Sequence, residues 1–355
     1  MTNSEKVRNI TEISGALATF FDNAEPQDLF RINLKLLSRK TGVPFHALLT
    51  LFLKLVDAGL FNLSWEYHCP HCNAIPGFKH NFGELKSEGE CALCNMGFRN
   101  TLDKNIEVTF TAHPTFAEIP ASMMEQAKEA MIAAVKEKRL AMPAEFVSGL
   151  ECLNNETFRD LFGEQVLSTQ ESLAVETATF LFTDIKGSTQ MYSDFGDAKS
   201  YDIVREHFKI LFASIARNNG VVVKTIGDAV MGSFLKPLDA FQAALEAHRE
   251  FASRELSQAG YLKIKMGIHS GSAIVVNLNN SVDYFGNSVN LAARVQGSVE
   301  NHDIRFTRRV LENAEVQNFL KSKHARLSHR STQFKGINGP VDVYTLSSDT
   351  VAAWR

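Results

Sequence analysis

The sequence predicts an α/β (α+β) protein in which a small helical, winged-helix-like part and a zinc ribbon precede a larger α/β domain. Three observations carry this. Residues 176–346 alternate β-branched, strand-like runs with helical periodicity. Ahead of them stand two CxxC pairs, Cys69-Pro-His-Cys72 and Cys91-Ala-Leu-Cys94, separated by 18 residues. Ahead of those, Asp28–Leu37 and Pro44–Ala58 have helical patterns, divided by Gly42 and Pro44. A chain of 355 residues has room for about two domains. The expected division is 1–118, 119–175 as a helical linker, 176–346, and a tail at 347–355.

Composition excludes several classes. Hydrophobic residues at 45% and charged residues at 22% rule out a disordered chain, collagen and a coiled-coil rod. A net charge of −3 gives no general attraction to nucleic acid or anionic lipid. The most apolar stretch, Phe45–Phe61, is broken by Lys54 and Asp57, so no membrane span is expected. The opening MTNSEKVRNITEISG lacks the apolar core of a signal peptide. With four of five cysteines in CxxC pairs, a reducing, cytoplasmic setting is expected.

Helix, turn, helix and then a strand at Leu60–Tyr67 outline a winged helix, which raises DNA binding. The second helix, PFHALLTLFLKLVDA, carries one Lys and no Arg. It is too apolar for a groove lined with phosphates, so it is expected to be buried and nucleic acid is not an expected partner. Four thiolates on two knuckles suit one tetrahedral, structural Zn²⁺ held by Cys69, Cys72, Cys91 and Cys94. They leave no open position for catalytic water. His68 and His71 are then neighbours rather than ligands, and Cys152 is a core residue. Ser122–Leu140 reads as a helix with an apolar stripe through Met124, Ala127, Met131 and Ala134, ended by Met142-Pro143.

The chemistry lies in three elements. The first is the strand Thr177–Asp184 followed by Ile185-Lys186-Gly187-Ser188-Thr189, which enters a helix. Free N–H groups at a helix start attract phosphate, and a preceding carboxylate suits a metal ion bridging to it. The second is a hairpin, VVVKTIGDAVMGSF, with Asp228 in its turn. Carboxylates on neighbouring strands can hold two divalent cations about 4 Å apart. The third is DYFGNSVNLAAR, where Asn290 and Arg294, four apart, share one helix face. Each alone has a plain explanation as turn or surface chemistry.

Together, FTDIKGST, VVKTIGDAVMGSF and DYFGNSVNLAAR resemble, in order, the catalytic motifs of the class III nucleotidyl cyclases, the adenylyl and guanylyl cyclase family. The resemblance covers about residues 176–346. The part bearing CPHC and CALC more loosely resembles a regulatory region found ahead of some bacterial cyclases. The family resemblance implies a ferredoxin-like catalytic domain, a head-to-tail homodimer with active sites at its interface, and two Mg²⁺ or Mn²⁺ per site. By position, Asp184, Asp228 and the backbone carbonyl of Ile185 match metal ligands. Lys224 and Asp283 match the base-reading pair and Asn290 the ribose-orienting residue, while Gly187, Ser188 and Thr189 are the helix start read above as attracting phosphate. Arg294 matches the transition-state arginine and Lys335, in a shorter motif, the lysine on the terminal phosphates. The implied reaction is in-line attack of the ribose 3′-OH on the α-phosphorus.

Adenine offers an acceptor at N1 and a donor at N6, matching a donating Lys224 and an accepting Asp283. Guanine reverses both, at a cost on the order of several kcal/mol. In guanylyl cyclases these positions typically hold Glu and Cys. The sequence therefore predicts an adenylate cyclase using ATP, with an unidentified regulatory ligand or protein at the N-terminal part. A guanylate cyclase, a catalytically weak nucleotide sensor and a zinc-dependent DNA-binding regulator are the competing readings. His269, in GIHSG, is placed as a general base would be, but the resembled family uses this segment structurally.

Overall fold

The computed structural model describes residues 2–253 and 262–354. They form two compact units. One runs to Val175 and includes Val275–Val282; the other takes Glu176–Ile274 and the chain from Asp283 onward.

The first unit opens with four helices, α1 (Asn3–Arg8), α2 (Gly15–Asn23), α3 (Leu34–Thr41) and α4 (Phe45–Asp57). Three strands follow: β1 (Phe61–Tyr67), β2 (Gly77–Lys79) and, beyond a two-stranded ribbon of β3 (Glu88–Cys91) and β4 (Met96–Arg99), β5 (Ile106–Ala112). β1 lies between β2 and β5. Strand alternation sends Phe61, Leu63 and Trp65 with Val108 and Phe110 to the core face, where Phe61 and Phe110 meet Phe52 of α4. α4 buries Leu48, Leu49, Leu51, Phe52, Leu53 and Leu55, as expected for a core helix. The helical pattern over Asp28–Leu37 is displaced: Ile32 bridges to Phe110, and α3 starts at Leu34 because the Asn33 side chain accepts from the Lys35 and Leu36 amides. α5 (Ala121–Lys136), α6 (Gly149–Leu153) and α7 (Glu156–Phe162) complete this unit. Of α5, only Ala134 is buried, and the helix ends at Lys136, short of the expected Leu140.

The catalytic motifs sit in the second unit. β6 (Ser172–Ile185) begins five residues before the expected Thr177. It leads into α8 (Ser188–Arg217), β7 (Gly220–Ile226), β8 (Ala229–Phe234), α9 (Pro237–Ser253) and β9 (Ile264–Leu278). The expected strand at Tyr261–Met266 starts on a residue outside the described ones. The order β9-β6-β8-β7 is that of a ferredoxin-like βαββαβ unit. β10 (Ser281–Phe285) pairs with β9. α10 (Asn287–Gly297), β11 (Ile304–Thr307), α11 (Arg308–Leu311), α12 (Ala314–Ser322), β12 (Leu327–Gln333) and β13 (Pro340–Leu346) extend the sheet to the order β12-β13-β11-β9-β6-β8-β7. α8, α9 and the sheet share one core through Ile203, Leu211, Phe241, Phe251, Met266 and Phe306. The expected tail is folded: α13 (Ser348–Ala353) is capped by Ser347 and buries Val351. Among the described residues no helix is long and apolar enough to cross a membrane.

Candidate active site

β6 ends at the first carboxylate. Asp184 is part-buried and paired with Lys265 of β9, Nζ to Oδ2 2.8 Å. Asp228 sits in the β7–β8 turn, where Gly227 takes a left-handed φ of 62°. Its Oδ2 accepts the Ile185 amide at 3.1 Å, which ties the hairpin turn to the end of β6. Burial, and next the charge of Asp184, raise the Asp228 carboxyl above its usual range. Two adjacent carboxylates with the Ile185 carbonyl are hard oxygen donors of the kind Mg²⁺ and Mn²⁺ take. The donor set thus fits the metal pair that the motifs imply.

His207 of α8 holds the same turn, its Nε2 3.1 Å from the Asp228 carbonyl. Burial pushes its pKa down to about 4, so the neutral ring donates to that carbonyl. Neither Lys265 nor His207 stands in a catalytic motif. His207 shares a helical stripe with Ile203, Val204, Ile210 and Leu211, which reads as core.

Gly187 starts α8 with φ 77°, which favours glycine, and is followed by half-buried Ser188 and exposed Thr189. The Lys186 side chain reaches instead to Asn301, Nζ to Oδ1 3.5 Å.

Lys224 and Asp283 meet. Lys224 Nζ donates to Asp283 Oδ2 at 2.5 Å, from a strand with a bulge between Val222 and Lys224. The Asp283 carboxylate is buried, and its Oδ1 also accepts the Tyr284 amide at 2.8 Å. A buried acceptor and a half-exposed donor therefore stand side by side.

α10 carries Asn290 and Arg294 one turn apart, both exposed. Among the described residues neither has a side-chain hydrogen bond or ion pair. Two glycines let α10 lie against β9. A Cβ at Gly267 would come 2.2 Å from the Gln296 amide nitrogen, and one at Gly271 2.3 Å from Ser288 Oγ. The GIHSG segment is thus a packing surface. His269 within it is buried, hydrogen-bonded to Thr307 Oγ1 at 2.8 Å, and pushed down to about 4 by burial. Lys335 is exposed between β12 and β13, and its neighbour Phe334 packs on Val295 of α10 and Val343. That contact sets the Lys335 loop against the helix bearing Arg294.

His269 makes acid stability measurable. Its folded pKa lies below the ordinary value of about 6.5, so between about 6.5 and 4 the unfolded chain holds the extra proton. Stability should fall as pH drops through that window, by up to about 1.4 kcal/mol per pH unit from this residue. Urea midpoints at pH 7 and pH 5 check it, and His269→Asn should flatten the dependence. Equal dependence in the variant would contradict a buried neutral His269.

The second unit is a nucleotidyl cyclase domain. The model of the Adenylate and Guanylate cyclase catalytic domain matches residues 171–348, half of the chain, and the protein belongs to that family. A family of unknown function, DUF5939, matches residues 5–185. An adenylate cyclase of Anabaena cylindrica is 25% identical over 186 residues, covering 48% of this chain and 36% of that protein. The receptor-type adenylate cyclase GRESAG 4.1 of Trypanosoma brucei brucei is 23% identical over 49% of this chain and 17% of its own. The chain thus spans well under half the length of these relatives. Among solved structures, the adenylyl cyclase CyaB of P. aeruginosa is 21% identical, with TM-score 0.43, covering 50% of this chain and 96% of that one.

Proposed function

We propose that this chain is an adenylate cyclase, converting ATP to 3′,5′-cyclic AMP and pyrophosphate. The observation that carries the choice of ATP is the Lys224–Asp283 pair. Lys224 donates to adenine N1 and Asp283 accepts from the N6 amino group. Guanine at the same place would set donor against donor and acceptor against acceptor.

Asp184, Asp228 and the Ile185 carbonyl would hold two divalent cations. Bound there, such ions supply charge stabilisation to the attacking 3′-oxygen and the phosphates. The amides after Gly187 face the phosphates, Asn290 orients the ribose, and Arg294 balances charge developing on the α-phosphoryl oxygens. Lys335 neutralises the leaving pyrophosphate. Fixing the 3′-OH in line with the α-phosphorus contributes much of the rate, because the attack is intramolecular. The exposed, unpaired Asn290 and Arg294 favour completion of the site by a second copy, in a head-to-tail homodimer.

Lys224→Glu with Asp283→Cys tests the base pocket. The wild type should prefer ATP over GTP in kcat/KM by at least about a hundredfold, and the double variant should lose most of that preference. Unchanged selectivity would remove both residues from the pocket.

The first unit is the regulatory region in this reading; equal turnover of the full chain and residues 170–355 under all conditions would contradict that. Its four paired cysteines would hold a structural zinc. All four thiols of Cys69, Cys72, Cys91 and Cys94 lie within 4.8 Å of one another, and two of the Sγ···Sγ separations are 3.6 Å. A tetrahedron with Zn–S of about 2.3 Å has edges of about 3.8 Å, so the cage has the size for the ion. Purified protein should contain one zinc per chain, and Cys91→Ser should lose it and lower the unfolding temperature. Full stability without zinc would contradict the structural role.

A further inference from the structure

The sheet of the first unit has an unusual second face. Opposite its core side, β1 presents Asn62, Ser64 and Glu66, whose register partners on β5 are Thr111, Thr109 and Glu107. This polar face is roofed by the apolar stripe of α5, Met124, Ala127 and Met131, and the two do not close. Between them lies a cavity of about 650 Å³ with Phe30, Ile75 and Phe78 in its walls. That volume is in the range that takes a drug-sized molecule.

The ionic groups on the floor already hold one another. Arg31, held at a left-handed φ of 49°, grips Glu66 with two hydrogen bonds, Nε to Oε1 at 2.8 Å and Nη2 to Oε2 at 2.5 Å. Thr109 Oγ1 donates to the same carboxylate at 3.0 Å. His68 Nε2 lies 2.7 Å from Glu107 Oε2. Glu66, His68 and Glu107 have the spacing of a metal site. The Arg31 guanidinium lies against it, however, 2.5 Å from Glu66 and 4.0 Å from Glu107, and supplies the positive charge. Glu66 is taken by Arg31 and Thr109, and Glu107 by His68, while Lys128 of the lining is exposed to water. A charged guest would have to break these bonds or keep its charge unmatched against the apolar walls, at a cost of several kcal/mol. Asn62, Ser64 and Thr111 still offer hydrogen bonds at less buried positions.

We propose that this cavity is a receptor site for a neutral, mainly apolar organic molecule bearing a hydrogen-bonding group. The roof is built to register its occupant. Among the described residues α5 is fastened at few points: Met131 Sδ accepts the Ile75 amide at 3.2 Å, and beyond the helix the Leu140 carbonyl accepts from Asn73 Nδ2 at 3.0 Å. Both fastenings run to the chain just after Cys72, so a guest that lifts α5 pulls on the first cysteine knuckle. Only the effect on turnover rests on the reading of this unit as regulatory.

Two probes sharing one skeleton test the site on the full chain: N-phenyl-1-naphthylamine, which is neutral, and 8-anilino-1-naphthalenesulfonate, which adds a sulfonate. The neutral probe should bind saturably, once per chain, and at least about tenfold more tightly than the sulfonate. Ala127→Trp from the roof and Ser64→Phe from the floor should each weaken it at least about tenfold, while Glu125→Trp, outside the cavity, should leave it within about twofold. Hydrogen exchange on the wild type gives a reading independent of variants: protection should fall on β1, β2 and α5. Absence of saturable binding, indifference to both fillings, or protection elsewhere would overturn the site. Equal or tighter binding of the sulfonate would overturn the neutral class. Saturable binding that leaves cyclase turnover unchanged would keep the site and contradict its regulatory use.

Discussion

Replacing Asp184 or Asp228 by alanine is expected to lower cyclase turnover on the order of a thousandfold or more while the fold survives. In the proposed site each residue supplies charge opposite a nucleoside triphosphate, which brings four negative phosphate charges of its own. Asp184 also balances Lys265, and Asp228 accepts the Ile185 amide. Losing one such hydrogen bond to a charged group costs roughly 1.5–3 kcal/mol of stability, less than the roughly 4 kcal/mol of a thousandfold catalytic loss. Cyclic nucleotide formation, measured beside thermal unfolding, checks both halves. Turnover near wild type in either variant would remove the carboxylate pair from catalysis.

The second large effect is recovery in mixed dimers. Lys224, Asp283, Asn290 and Arg294 stand on β7, β10 and α10, whereas Asp184 and Asp228 are tied together at the end of β6. No ion pair joins the two groups among the described residues. In a head-to-tail dimer, the carboxylates of one copy face the base-reading and arginine group of the other. Chains carrying Asp184→Ala should be inactive, and so should chains carrying Arg294→Ala. Mixed, they would form dimers with one doubly damaged site and one intact site. Activity should then recover toward half of wild type per mixed dimer. A site contained within one chain gives no recovery, because every site still carries one lesion. Inactivity in dimers verified as mixed would contradict the shared site while leaving the reaction itself untouched.

What was legible in the sequence follows from where the chemistry sits. Asp184, Asp228 and Asn290 with Arg294 each lie in a short contiguous stretch whose turn or helix start is signalled locally. The alternation of strands and helices was legible from periodicity, whereas the ferredoxin-like order came only as what the family resemblance implies. Long-range partners were not legible. Lys265 meets Asp184 only because β9 lies beside β6 in the sheet. His207 reaches the Asp228 turn from a helix face that looks like plain core. The displaced start of α3 depends on Ile32 bridging to Phe110, a residue far along the chain. The last residues look like a tail in sequence because α13 is short and its burial through Val351 depends on tertiary packing. The cavity under α5 was equally hidden. The apolar stripe was visible, but not that it would face the polar side of a sheet across open space.

Identification of the cyclised product tests the central claim most directly. Purified full-length protein with Mn²⁺ and equimolar ATP and GTP should yield 3′,5′-cyclic AMP and pyrophosphate in equal amounts by mass spectrometry and phosphate analysis. Cyclic GMP should appear at no more than about a hundredth of that level. Cyclic GMP as the main product, or no cyclic nucleotide from well-folded dimers, would contradict the account.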